Sequence, residues 1–197
     1  AFCMAEGGEA LKDLSLHILD IAENSAKAGA SRISITLKED GERLELCIED
    51  DGCGMDAQTL ARVTDPFYTT RTTRRVGLGL PLLRQSAEQT GGSLAVQSTP
   101  QSEAGKPHGT TVRAVFFPQH IDMLPPGDIP QTLCTLIQGH EAIDFEFLHT
   151  VNGKEGVRLF TKELRQRLSP VPLSQAEVLT WIKAYLSEQY ESLGSAK

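Results

Sequence analysis

The sequence predicts an α/β protein in which amphipathic helices alternate with pairs of antiparallel strands. Apolar residues recur at helical spacing over residues 11–28, which predicts the first helix. Residues 31–39 and 43–49 then alternate apolar and polar side chains on either side of Asp40 and Gly41. An Asp-Gly pair between two alternating segments is typical of a tight hairpin. These observations predict a helix followed by two antiparallel strands.

The next elements follow from the same signals. Asp56 can cap a short helix after the hairpin. Residues 64–77 are rich in hydroxyl and arginine side chains and have no apolar periodicity, which predicts a loop. Helical spacing returns over 78–90, and strands are predicted over 93–99 and 110–118 with a polar connection between them. Helices and strands therefore alternate as far as residue 118.

The composition changes after residue 118. Residues 119–130 are rich in proline, which predicts a linker between an N-terminal domain at 11–118 and a small C-terminal α/β unit at 131–192. We expect this unit to contain a helix, a hairpin and two further helices. It contains no recognisable motif, so its interpretation as an interaction unit rests on exclusion.

Composition and charge limit the function classes. The formal net charge of −7 argues against general electrostatic binding of nucleic acid or of an anionic membrane. No apolar run approaches the ~20 residues of a membrane span, and the first residues lack the basic and apolar segments of a signal peptide. The four cysteines form no C-x-x-C pair, which fits a reducing compartment better than a zinc site or a disulfide framework. We therefore expect a cytoplasmic protein that binds neither nucleic acid nor a membrane.

The segment 49–55, EDDGCGM, ends a predicted buried strand with a D-x-G-x-G turn. Gly52 and Gly54 let the backbone pass close to a ligand, because neither carries a side chain. Taken alone, the segment is more commonly a plain acidic turn. A calcium loop is disfavoured, since the alternating acidic series and the distant glutamate of such loops are missing.

Polar residues on the first predicted helix form a second candidate. Asp20, Asn24 and Lys27 are spaced i, i+4 and i+7 and therefore share one face. Such a stripe is usually the solvated side of a helix. The asparagine oxygen could also ligate Mg²⁺ and leave room for water and phosphate oxygens.

Two further sites contain glycine. Gly77 and Gly79 precede a predicted helix, where free backbone N–H groups and the helix dipole attract phosphate. A hinge between loop and helix explains them equally well. Thr110 follows a glycine at the start of a predicted strand, where a β-branched residue is expected without any functional role.

The order and spacing of these signals are more specific than any one of them. Over residues 11–118 the sequence resembles the Bergerat-fold ATP-binding domain of the GHKL group, which includes gyrase B, heat-shock chaperone ATPases, histidine kinases and MutL. The segment DPFYTTR…VGLGLPLL is most similar to the histidine kinases. The resemblance implies a two-layer α/β sandwich with a mixed, mostly antiparallel sheet and helices on one face, here with the small C-terminal α/β unit added. It also implies ATP and Mg²⁺ as ligands.

The resemblance implies a role for each matching residue. Asn24 corresponds to the asparagine that ligates Mg²⁺. Asp50, and not Asp51, corresponds to the carboxylate that accepts a hydrogen bond from the adenine amino group. The other implied ATP contacts lie at two glycine turns, on the first helix, in a lid and on a strand: Lys27, Gly52, Gly54, Met55, Phe67, Thr69, Thr70, Arg71, Gly77, Leu78, Gly79, Leu80 and Thr110.

The sequence departs from the family pattern in two places. Hydrolysing members have a glutamate as general base four residues before the asparagine, and this sequence has the shorter Asp20. Asp20 is the candidate base, and Glu23 lies off its helix face, so ATP hydrolysis is in question while ATP binding is not. No hairpin with a phospho-accepting histidine is expected before the first helix. His17 is interpreted as structural, with a phospho-acceptor as the alternative.

These observations predict a regulatory kinase of the histidine-kinase or anti-sigma type, which transfers the ATP γ-phosphoryl group to an unidentified partner protein. The alternatives are a slow or non-hydrolysing ATP-dependent switch and, least favoured, a plain binding module. Trp181, Tyr185 and Leu186 on the last predicted helix are interpreted as core, with a homodimer surface as the alternative.

Overall fold

The computed structural model describes residues 12–63, 79–102 and 107–194. The predicted loop at 64–77 lies outside these ranges. Each helix and strand predicted within them is present, with ends that differ by a few residues. In chain order they are α1 (Leu14–Lys27), β1 (Arg32–Glu39), β2 (Leu44–Asp50), α2 (Ala57–Val63), α3 (Gly79–Gln89), β3 (Ser93–Thr99), β4 (Gly109–Phe116), α4 (Ile129–Gly139), β5 (Asp144–Val151), β6 (Lys154–Phe160), α5 (Thr161–Leu168) and α6 (Ala176–Gly194).

The described strands form one six-stranded sheet in the order β3-β4-β2-β1-β5-β6. Four of the five neighbouring pairs are antiparallel, and β1 pairs with β5 in parallel. The predicted mixed, mostly antiparallel sheet is therefore confirmed.

One face of the sheet carries the core. Side chains alternate across a strand, so residues two apart share a face. Ile35 lies opposite Ile48 on β2 and Phe147 on β5, and all three are buried. Helices α1 and α3 contact the strands, α1 against β1 and β2 and α3 against β3 and β4. The other face presents polar side chains such as Lys38 and Arg113, which are exposed.

The beginning of α1 is held by its own cap and by the chain that precedes α4. The Asp13 carboxylate accepts a hydrogen bond from Leu16 N at 2.9 Å, as an N-cap residue does. The backbone N–H groups of Leu14 and Ser15 donate to the carbonyl oxygens of Pro125 and Pro126 at 2.9 and 3.1 Å. The proline-rich segment therefore satisfies helix donors that would otherwise lack a partner.

The C-terminal segment packs on the same sheet. β5 and β6 extend it beyond β1, and α4 contacts both α1 and α6. The division into a domain at 11–118, a linker and a unit at 131–192 stays a prediction. Leu186 on α6 is buried, as expected, but the expectation that Trp181 is core is wrong. Trp181 is 50% exposed because it lies on the outer side of α6, where it stacks on Tyr185 with ring centroids 5.4 Å apart.

Two further observations concern a cysteine of the sheet and the expectation that the protein does not span a membrane. Cys47 is buried in β2 as a free cysteine. Within the described ranges, every helix is too short or too polar to cross a bilayer.

Candidate functional site

Three polar residues form a row across neighbouring strands on the core-facing side of the sheet. Asp50 is the last residue of β2 and lies opposite Thr110 on β4, which in turn lies opposite Ser98 on β3. Asp50 shares its face with the buried Ile48, two residues earlier. The row therefore lies where the apolar core ends, beneath α1.

The Asp50 carboxylate is held by three hydrogen-bond donors. Its Oδ1 accepts from the backbone N–H groups of Gly52 and Thr110 at 3.0 and 3.2 Å. Its Oδ2 accepts from the Ser25 hydroxyl on α1 at 2.6 Å. A carboxylate offers about four acceptor positions, so capacity remains for one more donor. The side chain is fixed in place by groups from three separate elements.

Asp51 has a different role, although it is the next residue. Its carboxylate accepts hydrogen bonds from Ser31 N, Ser31 Oγ and Arg32 N at 2.7, 2.6 and 2.8 Å, and so fixes the beginning of β1. Partial burial acts to raise the pKa of Asp51, but these hydrogen bonds outweigh it and lower the pKa below its usual value. Asp51 therefore lies away from the row that contains Asp50.

The turn after β2 requires its glycines. Gly54 has a φ of +64°, and a Cβ there would overlap the carbonyl of Thr99. A Cβ at Gly52 would lie 3.0 Å from Ala28, the residue that caps the end of α1. The turn can therefore pass so close to the end of β3 only because Gly54 carries no side chain, and at Gly52 a side chain would be tightly packed.

A cavity of about 230 Å³ opens above this row. It lies between α1, the turn after β2, α2 and the first turn of α3. Its lining is mostly apolar around a few polar groups, as is usual for small-molecule sites. The lining residues are Ile21, Asn24, Ser25, Ala28, Asp50, Gly54, Met55, Val63, Gly79, Leu80, Thr110 and Val112. Larger concavities of about 670 and 590 Å³ lie beside α6 and contain none of the predicted site residues.

The predicted polar stripe of α1 lies at one edge of this cavity. The Asn24 amide donates to Asp20 Oδ2 at 3.4 Å, and a Cβ at Gly79 would overlap the same carboxylate. Asp20 thus lies directly against the first residue of α3. Burial raises the pKa of Asp20, while the Lys27 ammonium and the Asn24 amide act to lower it and Glu23 acts to raise it.

Glu23 is turned away from Asp20, as its position on the helix predicts. Its Oε1 lies 2.9 Å from Nε2 of His140, the residue that caps α4. Glu23 is therefore engaged with the C-terminal segment and not with the cavity.

His17 is fully buried in the α1–α3 interface, which fits its interpretation as structural. Its Nε2 lies 3.3 Å from Ser86 Oγ, and its Nδ1 has no hydrogen-bond partner among the residues the structure describes. Burial lowers the pKa of His17 from 6.5 to about 4, although nearby Asp13 acts to raise it.

Comparison with known proteins identifies the family. The sequence profile described as "Histidine kinase-, DNA gyrase B-, and HSP90-like ATPase" matches residues 10–121, more than half of the chain. The chain belongs to this ATPase family. The resemblance inferred from the motifs is therefore confirmed.

Relatives of this ATPase domain include bacterial sensor proteins. The chain is 32% identical over 115 residues to a sensor protein of Shewanella frigidimarina, a match that covers 58% of this chain and 17% of the relative. It is 40% identical over 76 residues to the sensor protein kinase FleS of Pseudomonas aeruginosa, covering 36% and 19% respectively. The chain thus spans less than a fifth of the length of these relatives.

A solved structure of the same fold is the MutL ATPase domain of Aquifex aeolicus complexed with ADP. It matches with a TM-score of 0.52 and 14% identity over 80% of this chain and 68% of that one. The N-terminal domain of a DNA repair protein matches with a TM-score of 0.52 and 19% identity, over 77% and 54%. At these identities the likeness shows the α/β fold alone. It confirms the predicted fold class.

The ATPase fold brings most of the predicted site residues together. Seven line the cavity: Asn24, Asp50, Gly54, Met55, Gly79, Leu80 and Thr110. Asp20, Lys27 and Gly52 lie beside it on α1 and in the turn, where Lys27 is exposed. The predicted positions Phe67, Thr69, Thr70, Arg71, Gly77 and Leu78 lie outside the described residues.

Two hydroxyl residues of the site were not predicted. Ser25 contacts Asp50, and Ser98 contacts Thr110 Oγ1 at 2.9 Å. Only the position of Ser25 contains a signal in the sequence, because Ser25 follows Ile18, Ile21 and Ala22 on the apolar face of α1. A hydroxyl on an apolar face needs a polar partner, and here the partner is Asp50.

Proposed function

We propose that this cavity binds ATP with Mg²⁺ and that the protein transfers the γ-phosphoryl group to a partner protein. The observation that carries the proposal is the Asp50 carboxylate, which three donors fix at the end of a mostly apolar cavity. Its remaining acceptor capacity suits the 6-amino group of adenine. The family assignment supports the same ligand.

The edge of the cavity near α3 suits the phosphates. Backbone N–H groups at the beginning of an α-helix attract anions, and α3 begins at Gly79 beside the cavity. Asn24 and Asp20 place oxygen atoms at this edge. Mg²⁺ prefers such ligands and usually keeps several waters and phosphate oxygens, so it needs few protein groups. Lys27, on the same face of α1, adds a positive charge for the phosphates.

Transfer to a partner is favoured over hydrolysis by the residues around the phosphate edge. Phosphoryl transfer asks a protein chiefly for positioning and charge neutralisation. Hydrolysis also needs a base within reach of the attacking water. Asp20 has a side chain one methylene shorter than glutamate, and its carboxylate lies against Gly79. The Glu23 carboxylate contacts His140 and not the cavity. The partner's nucleophilic side chain would accept the phosphoryl group, with ADP as the leaving group. The sensor proteins among the relatives support a signalling role, and a cytoplasmic location belongs to this proposal.

The second candidate function is an ATP-dependent switch that hydrolyses slowly or not at all. It is favoured by the contact between His140 and Glu23, which joins α4 to α1 one residue from Asn24. A change in α1 on nucleotide binding would thereby reach the C-terminal segment. A homodimer through α6 remains an alternative form of the partner.

Incubation with γ-labelled ATP and extracts fractionated for acceptor proteins tests the kinase function. Transfer of label to a partner by the parent protein, with little phosphate release, supports it. Asp20→Glu and Asp20→Asn variants separate the alternatives. A strong rise in phosphate release for Asp20→Glu, with no transfer by the parent, favours the switch. Turnover by the parent alone that Asp20→Asn abolishes indicates an ATPase instead.

A further inference from the structure

The two edges of the sheet differ in how well they are covered. β3 is the first strand in the order β3-β4-β2-β1-β5-β6 and β6 is the last, so each has one side without a neighbouring strand of the sheet. An edge strand presents a row of backbone N–H and C=O groups with which another strand can pair. Natural proteins usually cover such an edge or place charged side chains on it.

The β6 edge has both kinds of protection. α6 contacts β6, and the Gln189 side chain on α6 bonds to the backbone of Arg158. Its Oε1 accepts from Arg158 N at 3.1 Å, and its Nε2 donates to the Arg158 carbonyl at 3.4 Å. The strand also carries three exposed charged residues, Lys154, Glu155 and Arg158. Another strand could therefore pair here only by displacing α6.

The β3 edge has neither kind of protection in the part of the chain that the structure describes. Its sequence, SLAVQST, contains no charged residue and no proline, and it keeps one unbroken register with β4. Among the described residues, the backbone of residues 93–97 takes part in no hydrogen bond beyond the β3–β4 ladder. The turn after β2 comes close only at Thr99, where a Cβ at Gly54 would overlap the carbonyl. Residues 93–97 thus form an open, uncharged edge.

This edge is complementary to a second copy of itself. Two identical strands can pair antiparallel about a two-fold axis, which here passes through Ala95 and places it opposite itself. Ser93 then lies opposite Gln97, and both are exposed. Leu94 lies opposite Val96, and both are half-buried against the core. Polar side chains therefore meet polar ones, apolar side chains meet apolar ones, and a small residue lies at the axis.

The charge of the protein also favours this edge for self-association. With a formal net charge of −7, two copies repel each other as they approach. Like charges directly opposite each other across paired strands are destabilising, and residues 93–97 contribute none. A second copy therefore brings to this edge a strand that already matches it in length, polarity and charge.

We propose that residues 93–97 form a homodimer interface in which β3 pairs antiparallel with β3 of a second copy. The two six-stranded sheets then join into one continuous sheet. A pair of short strands buries less than the about 1,200 Å² at which standard interfaces begin, so the dimer is weak, with a dissociation constant in the micromolar range. The interface does not depend on the proposed nucleotide, because none of these residues lines the cavity.

Sedimentation velocity of the parent from about 1 to 500 micromolar tests the interface, with monomer expected at the low end and dimer at the high end. Ala95→Lys places two ammonium groups opposite each other at the axis and should weaken the dimer at least about tenfold. Ala95→Glu should do the same. A mixture of the two variants should dimerise again, because an ammonium then faces a carboxylate. Gln175→Lys adds the same charge at an exposed position before α6 and is the matched control.

Hydrogen–deuterium exchange of the parent gives a second readout that needs no variant. The amides of residues 93–97 that point away from β4 should exchange more slowly at high than at low protein concentration, while exchange in β6 stays the same. Unchanged exchange at residues 93–97 in a dimeric sample would place the interface elsewhere.

Three other outcomes would overturn the proposal. A parent that stays monomeric at the highest concentration would leave the edge to a strand of another protein. A dimer that survives Ala95→Lys and dissociates in Trp181→Ala would place the interface on α6. A mixture of Ala95→Lys and Ala95→Glu that stays monomeric would contradict the pairing about Ala95. ATP titration of monomeric Ala95→Lys, expected to match the parent, keeps this result separate from the proposed function.

Discussion

The hydroxyl of Ser25 on α1 donates a hydrogen bond of 2.6 Å to Asp50 at the end of β2. The preceding residue, Asn24, also lines the cavity, and its amide lies at the edge beside Asp20. The contact between Ser25 and Asp50 therefore fixes the spacing between the proposed adenine end and the proposed metal end of the site.

We expect Ser25→Ala to weaken ATP binding by about tenfold, because Asp50 loses the hydroxyl donor that Ser25 supplies and can turn from the cavity. Calorimetric titration measures the effect, and thermal unfolding shows whether the fold is kept. An unchanged affinity would contradict the assigned role of this contact.

Asp51→Ala should reduce stability while leaving ATP binding close to that of the parent. The variant removes three hydrogen bonds to Ser31 and Arg32 at the beginning of β1, with an expected cost on the order of 2 kcal/mol in the free energy of unfolding. Urea denaturation measures this cost. A loss of ATP binding without a loss of stability would mean that Asp51, and not Asp50, faces the ligand.

Gly54→Ala should destabilise the protein more than Gly41→Ala. Both glycines have positive φ, +64° and +85°, so both variants suffer backbone strain. Only at Gly54 would the added Cβ overlap another part of the chain, the Thr99 carbonyl, whereas nothing lies within 4 Å at Gly41. Denaturation midpoints compare the two variants, and ATP titration should show a loss for Gly54→Ala alone. Equal effects would count against the close approach of the turn to β3.

Stability should fall as the pH decreases through the range between the ordinary and the lowered pKa of His17. The unfolded chain binds a proton below about pH 6.5, whereas the folded chain excludes it until about pH 4. The stability present above pH 6.5 is therefore lost progressively toward pH 4, by a few kcal/mol. Urea denaturation across this range should show a flatter profile for His17→Gln, which cannot take up the proton. Identical profiles would rule out His17 as the cause.

Much of the local structure of this fold could be predicted from the sequence. Asp40-Gly41 between alternating strands indicated the β1–β2 hairpin. Such patterns depend on neighbouring residues and so can be recognised without the fold. The choice of Asp50 over Asp51 as the site carboxylate came from the family resemblance, and in the structure Asp50 shares the core-facing side with Ile48. The assignment of Asn24, Gly54 and Thr110 to one site depended on the family motifs, and the cavity brings these residues together.

Other features depend on contacts between distant residues. The parallel pairing of β1 with β5 joins strands about a hundred residues apart, and the alternation within either strand does not say which strand lies beside it. Ser98 cannot be told from an ordinary strand residue in the sequence, because its partners, Met55 and Thr110, come from other elements. The exposure of Trp181 likewise depends on which side of α6 meets the sheet.

The titration that tests the central claim most directly compares ATP binding by the parent, Asp50→Asn and Asp51→Asn. The two variants make the same chemical change at adjacent positions, so a general effect of lost charge acts on both. We predict that the parent and Asp51→Asn bind ATP with similar affinity and that Asp50→Asn loses at least about 100-fold. Binding by Asp50→Asn as tight as by the parent, or an equal loss in both variants, would contradict Asp50 as the residue that recognises the nucleotide.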